Sequence, residues 1–301
     1  MFCLNSNHLS LFFLFLIIFC KTIFAEVTGV IDRKEVVVHF IGTSTSAAKE
    51  IADMYPEVKR GLEKTIGWKV DFKPIILLMN SEKDFQRMVE NDLIVAYAVP
   101  QRGLIIINYP KASKSPFSVK SVLKHELCHL LLHKQIKSNK LPKWLDEGIA
   151  QWISGGITEL IIEKKSSLLD KAILSGRNIP IRFLANKFPE EKGSLLLAYE
   201  ESKSLVEYIR NNYGNEGIIR ILENLKKGRS IDEAIRISLS ISLEELENNW
   251  IGSFRKWVNW FAYLSNNLYE LLFFLAALIT VLAFIRMLMK KRKYKDEEWE
   301  A

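Results

Sequence analysis

The chain predicts an α+β fold: a small sheet mixed with helices in the N-terminal part, a mainly helical part after it, and one transmembrane helix near the C-terminus. Three observations carry this expectation. Short, β-rich apolar runs are confined to the stretch before about residue 115, helix start and stop signals dominate from Ser118 onward, and a long apolar run fills Leu271–Met289. With 301 residues and 49% apolar content the chain is long enough to bury a sizeable core.

The elements follow in order. Leu9–Phe19 is an uncharged apolar run of signal length, followed by Lys21 and by Ala25 at a passable cleavage position, so residues 1–25 read as a secretory signal peptide. His8 is the only residue before that run able to carry positive charge, which leaves an uncleaved N-terminal anchor open as the alternative. Residues 26–115 form the α/β part. Val36–Phe40, Pro74–Met79 and Gly103–Asn108 are short and apolar and read as strands. Ala47–Ile66 and Ser81–Val89 read as helices, the second opening on a cap-like serine followed by Glu82 and Asp84.

Residues 116–265 form the helical part. Its segments are Ser118–Gln135, Pro142–Ser154, a stretch from Thr158, Leu195–Asn212, Glu216–Lys227, Ile231–Ser238 and Ser242–Asn259, punctuated by Gly, Pro or Asn. Strands first and helices after place a seam near residue 115. Residues 268–289 have the length of a bilayer span, with Arg286 near enough to one end to snorkel. Nothing long enough to bury that helix follows it in sequence. Lys290–Lys293 (KKRK) begins the tail, residues 290–301, and such basic clusters stay cytoplasmic. The topology that results is single-pass in the cell membrane, with residues 26 to about 267 outside and the tail inside. Trp257, Trp260, Tyr263 and Tyr269 suit either the headgroup zone or the core face of the last extracytoplasmic helix.

The net charge of +7 owes part of its excess to Lys21 and the tail, and the remainder is mixed in sign, so no nucleic-acid partner is expected. Of three cysteines, Cys3 and Cys20 lie in the signal segment. Cys128 alone remains, so the exported part has no internal disulfide and stands on its core.

Three of the five histidines fall in LKHELCHLLLHKQ, Leu123–Gln135. Residues four apart share a helix face, so His125 and His129 project side by side with Glu126 next to the first. That H-E-x-x-H arrangement offers two imidazoles to Zn²⁺ and a carboxylate able to take a proton from water. Catalytic zinc needs a third protein ligand, and Glu147 in WLDEGIA, Trp144–Ala150, opens the next helix and can supply it. His133 lies a further turn, about 5.4 Å, along the axis, too far to join the same metal without a break in the helix. It reads as a surface or packing residue, and Cys128 as a small buried apolar one.

With both motifs in place, the sequence resembles the gluzincin zinc metallopeptidases, the thermolysin-like and aminopeptidase-like clan, and most closely its small peptidase MA-like branch. The resemblance covers about residues 95–257 and implies a zincin-like fold, with His125, His129 and Glu147 as metal ligands and Glu126 as general base. A later segment, LAYEESKSL at Leu197–Leu205, resembles the helix that carries an oxyanion-stabilising tyrosine in this clan, which corresponds to Tyr199. A half-buried tyrosine on an amphipathic helix is the plainer reading of that position. Two features depart from the clan's patterns. The G-x-M-E-N segment with which aminopeptidases read a free amino terminus is missing, so aminopeptidase activity is not carried over. Gln151 stands where thermolysin-like enzymes place an aspartate behind a zinc histidine. Gln151 or Asp146 is positioned to orient an imidazole, or either is simply a helix-surface residue.

The expected chemistry is zinc-assisted hydrolysis of peptide bonds in a peptide or protein substrate near the membrane surface. Gly103, Leu104, Ile105 and Ile106 begin a strand that serves either as an edge for pairing with an extended peptide or, given its unbroken apolar character, as an interior strand. The competing class is a catalytically inactive, membrane-tethered scaffold with the same fold, against which the intact Glu126 and Tyr199 speak. An intramembrane protease stays open as a further alternative, against which Lys120, Lys124, His133 and Lys134 speak, too polar a set for a spanning helix. Oligomeric state is not legible.

Overall fold

The computed structural model describes residues 28–43, 45–89, 94–155, 168–266 and 268–297. The expected signal segment, residues 1–25, and the start of the helical stretch expected from Thr158 lie outside these described residues. The observed architecture is a small mixed five-stranded sheet followed by a mainly helical remainder.

Strands β1 (Gly29–Asp32), β2 (Val37–Ile41), β3 (Ile75–Met79), β4 (Ala96–Val99) and β5 (Leu104–Asn108) lie in the order β1-β2-β3-β5-β4. The three central strands run parallel, with Val38 opposite Ile76 and Ile76 opposite Ile105, while β1 and β4 pair antiparallel on the outside. Helix α1 (Thr45–Ile66) makes the crossover from β2 to β3, as a parallel pair requires, and α2 (Glu82–Val89) follows β3. β3 and the first four residues of β5 are apolar because both of their faces are covered, Ile76, Leu77, Leu78, Ile105 and Ile107 being fully buried, whereas β2 alternates buried and half-buried positions around His39.

β5 is therefore not an edge. The strand that opens at Gly103 and contains Leu104, Ile105 and Ile106 is hydrogen-bonded to β3 on one side and β4 on the other, so it has no free backbone for a peptide. Its five consecutive buried residues are the reason: an edge strand beside solvent would alternate. Among the described residues the edge on this side of the sheet is β4.

After the short turn of helix α3 (Tyr109–Ala112), α4 (Val119–Gln135) starts at Ser118, whose hydroxyl accepts from the Ser121 amide at 3.1 Å. α4 packs on α1, β4 and β5. Its run from His125 to Leu132 is buried on all sides, polar residues included. α5 (Lys143–Ser154) packs against α4 and against α7 (Lys192–Lys226), with the short α6 (Leu168–Leu174) between them in sequence. α7 is two helices in one, broken at Gly214 (φ 71°, ψ 176°), as the separate segments expected either side of Tyr213-Gly214 anticipate. α8 (Ile231–Leu239) opens with a reciprocal Ser230–Glu233 capping box and is followed by α9 (Leu243–Asn266).

Sheet and site helices belong to one compact unit reaching Glu247, so the seam near residue 115 is a change of secondary-structure class inside that unit. A second unit, from Asn248, contains α10 (Leu268–Glu297). Within it, Leu268–Met287 has a mean hydropathy of 2.5 over a window with none of its residues buried, long and apolar enough to cross a membrane.

Candidate metal centre

α4 and α5 meet so that three potential ligand atoms converge. One donor atom each from His125, His129 and Glu147 lies within 4.8 Å of the others, and all three residues are buried. The two imidazole Nε2 atoms are 3.1 Å apart, and Glu147 Oε2 is 3.8 Å from the first and 3.6 Å from the second. In a tetrahedral zinc site with bonds of 2.0–2.1 Å, neighbouring donor atoms stand ~3.3 Å apart. The observed separations bracket that value. Glu147 Oε2 is buried and accepts no hydrogen bond, which is costly for a carboxylate oxygen unless a cation meets it. The donor set fits Zn²⁺ on both counts.

Each of these side chains is held from behind. Asp146 Oδ1 accepts from His129 Nδ1 at 2.8 Å, and its Oδ2 accepts from His133 Nε2 at 2.9 Å. Burial raises the Asp146 carboxyl pKa, but the two imidazoles outweigh it and hold the group well below the usual carboxylate range. An ionised Asp146 keeps the proton of His129 on Nδ1, so Nε2 presents its lone pair toward the convergence point. Lys143, one turn before Glu147, donates to Glu147 Oε1 at 2.9 Å. Lys143 Nζ also sits 5.3 Å from the centre of the Phe188 ring, and Tyr199 stands edge-to-face on that ring with centroids 5.0 Å apart.

Glu126 is fully buried on α4 between the two histidines in sequence. The two residues considered for orienting an imidazole have different partners: Asp146 bonds His129, while Gln151 Nε2 donates to the Tyr199 backbone carbonyl at 3.2 Å and so ties α5 to α7. Gly148, next to Glu147, marks where these helices touch: a Cβ there would lie 2.4 Å from the Ser202 carbonyl oxygen. His133 does not belong to the convergent set. It is half-buried and bonded to Asp146 rather than idle on the surface. The sequence signal for this was its spacing: His129 and His133 are four apart, so one carboxylate can bridge both. Lys143 was also missed, although a lysine four residues before a glutamate on a helix is within reach of it. Cys128 is buried, and burial pushes its thiol pKa up, away from reactivity.

The family model of the peptidase MA superfamily matches residues 63–257, and the chain belongs to that superfamily. No curated protein sequence matches it. Among solved structures it is similar to an M1 zinc metallopeptidase from Deinococcus radiodurans, at 14% identity and a TM-score of 0.43, over 75% of this chain and 50% of that one. An aminopeptidase A from Legionella pneumophila in complex with aspartic acid aligns at 14% identity and a TM-score of 0.42, over 72% of this chain and 26% of that one. A mutant of the Deinococcus radiodurans enzyme bound to a Tyr-Ser-Ala substrate aligns at 15% identity and a TM-score of 0.41, over 75% of this chain and 51% of that one. The chain thus spans about half or less of the length of these proteins.

Proposed function

We propose that the protein is a membrane-anchored, extracytoplasmic zinc metallopeptidase. The observation that carries this reading is the buried convergence of His125, His129 and Glu147 on two packed helices, with Glu126 on the same helix as the histidines. His125, His129 and Glu147 would hold the metal, three protein ligands that leave a position open. Zinc in such a site supplies Lewis acidity toward a water and toward the scissile carbonyl. Glu126 takes the proton of the attacking water on a carboxylate oxygen and returns it to the leaving amine. Tyr199 donates its phenolic proton as a hydrogen bond to the carbonyl oxygen as that oxygen becomes negative.

An extended peptide has a place to bind. Among the described residues no strand pairs with the outer edge of β4, and α4 packs against β4. A peptide added antiparallel or parallel to Ala96–Val99 would run beside the site helix, its backbone held by ladder hydrogen bonds. The helix Leu268–Met287 would anchor the chain, with Lys290–Lys293 on the cytoplasmic side.

The test is metal analysis of the detergent-solubilised full chain, with His129→Ala and Glu126→Gln beside it, followed by cleavage of a peptide library. One zinc per chain, lost in His129→Ala and kept in Glu126→Gln, with cleavage lost in both, is the expected pattern. Zinc-free, well-folded wild type would overturn the metal reading. Cleavage by Glu126→Gln at the wild-type rate would overturn the mechanism.

A further inference from the structure

We propose that Lys143 is a positioning residue for the metal centre: its ammonium occupies Glu147 Oε1 and thereby leaves Oε2 alone to face the imidazoles. The inference rests on the zinc reading above and adds a residue that neither sequence motif contains.

Glu147 has two chemically equal oxygens, and the surroundings make them unequal. Oε1 accepts from Lys143 Nζ at 2.9 Å, whereas Oε2 accepts no hydrogen bond and points between His125 Nε2 and His129 Nε2. A carboxylate pinned by one oxygen cannot rotate to offer both to a cation, so the pairing selects coordination through a single oxygen. That keeps the coordination number low and a position open. Lys143 is itself fixed. It sits on the first turn of α5, whose Lys143 and Trp144 amides donate to the Ala185 and Leu184 carbonyls at 2.8 and 3.1 Å. Its ammonium lies over the Phe188 ring, and that ring carries Tyr199 on its edge. One lysine therefore joins the proposed third ligand to the aromatic pair that contains the proposed oxyanion donor.

Electrostatics alone argues the other way, which makes the idea testable. A cation 2.9 Å from Glu147 repels a second cation at the same carboxylate, so if charge were the whole effect, removing it would tighten zinc binding. If Lys143 acts by orienting the carboxylate, removing it weakens binding by about tenfold or more, the usual loss when a group behind a ligand is deleted.

The experiment uses the detergent-solubilised full chain and its Lys143→Met and Lys143→Arg variants, with Zn²⁺ affinity measured by competition against a chromophoric chelator and the visible absorption of the Co²⁺-loaded proteins recorded. Methionine keeps the stem against Phe188 and removes the donor; arginine keeps the donor. The expected result is zinc affinity reduced about tenfold or more in Lys143→Met and within about threefold of wild type in Lys143→Arg. The Co²⁺ bands should weaken in Lys143→Met as a second carboxylate oxygen joins the coordination sphere, a change that a merely structural role would not produce. Equal or tighter zinc binding by Lys143→Met, or Co²⁺ bands identical to wild type, would overturn the proposal while leaving the zinc site standing. Failure of wild type to bind either metal would instead remove the reading on which it rests.

Discussion

Gly148→Ala sets two effects against each other. Alanine is the better helix former by about 1 kcal/mol, and Gly148 lies inside α5, so propensity alone predicts stabilisation. Packing predicts the opposite. The added Cβ would stand 2.4 Å from the Ser202 carbonyl oxygen, 2.6 Å from Val206 Cγ2 and 3.0 Å from the Ser202 carbonyl carbon. Comfortable contact begins near 3.5 Å, so α5 and α7 must part by about 1 Å. Two of the three obstructing atoms are helix backbone, which cannot swing aside. Overpacking of this kind costs about 1–3 kcal/mol, and its upper part applies here, leaving a net loss of about 1–2 kcal/mol after the propensity gain. For a unit of this size that corresponds to a Tm lower by about 2–8 °C. Thermal unfolding followed by circular dichroism on wild type and Gly148→Ala measures it directly. A variant as stable as wild type, or more so, would refute the claim that these helices meet at the glycine.

Other outcomes test the groups around the site. Asp146→Ala should weaken Zn²⁺ binding by about 10- to 100-fold, because it frees the His129 ring and its tautomer, and His133→Ala should cost less, being one bond further away; undiminished affinity in Asp146→Ala, read by chelator competition, would contradict the arrangement. Elsewhere in the same unit, burial raises the Glu201 carboxyl to about 8, its bond from the Ile179 amide lowering it and Glu247 raising it further. The folded chain then keeps this proton up to about pH 8 while the unfolded chain releases it near 4.5. Its contribution to stability is full below the lower value, falls by up to about 1.4 kcal/mol per pH unit between the two, and is flat above. Glu201→Gln should remove that decline, and melts from pH 4.5 to 8 with the same slope as wild type would show the assignment to be wrong.

The parts of the molecule that the sequence made legible are those whose cause is local. α4 and α5 declare themselves through Ser118 and Pro142 at their starts, and the convergent candidate ligands through the four-residue spacing of His125 and His129 and the carboxylate of WLDEGIA. β1 and β4 went unseen because four-residue antiparallel strands with mixed burial carry little pattern of their own; AYAV takes its strand character from pairing with β5. Strand order is likewise not local: LIIIN reads the same whether it borders solvent or a neighbour, and only the completed sheet shows β4 outside it. The His133–Asp146–His129 chain and the Lys143–Glu147 pair each needed the second helix to be placed before they had meaning, though their spacings were visible beforehand.

The helix that carries two of the three proposed ligands is buried along its whole middle, from His125 to Leu132, by packing against α1, α5, β4 and β5. A zinc finger dissolves when its ion is lost; here the core should outlast the ion. In evolutionary terms, fold and the proposed catalysis are separable: a lineage can replace Glu126 or a histidine and still keep a stable fold. Such descendants would be selected for what they hold, which opens a path from the proposed hydrolase to a binding protein.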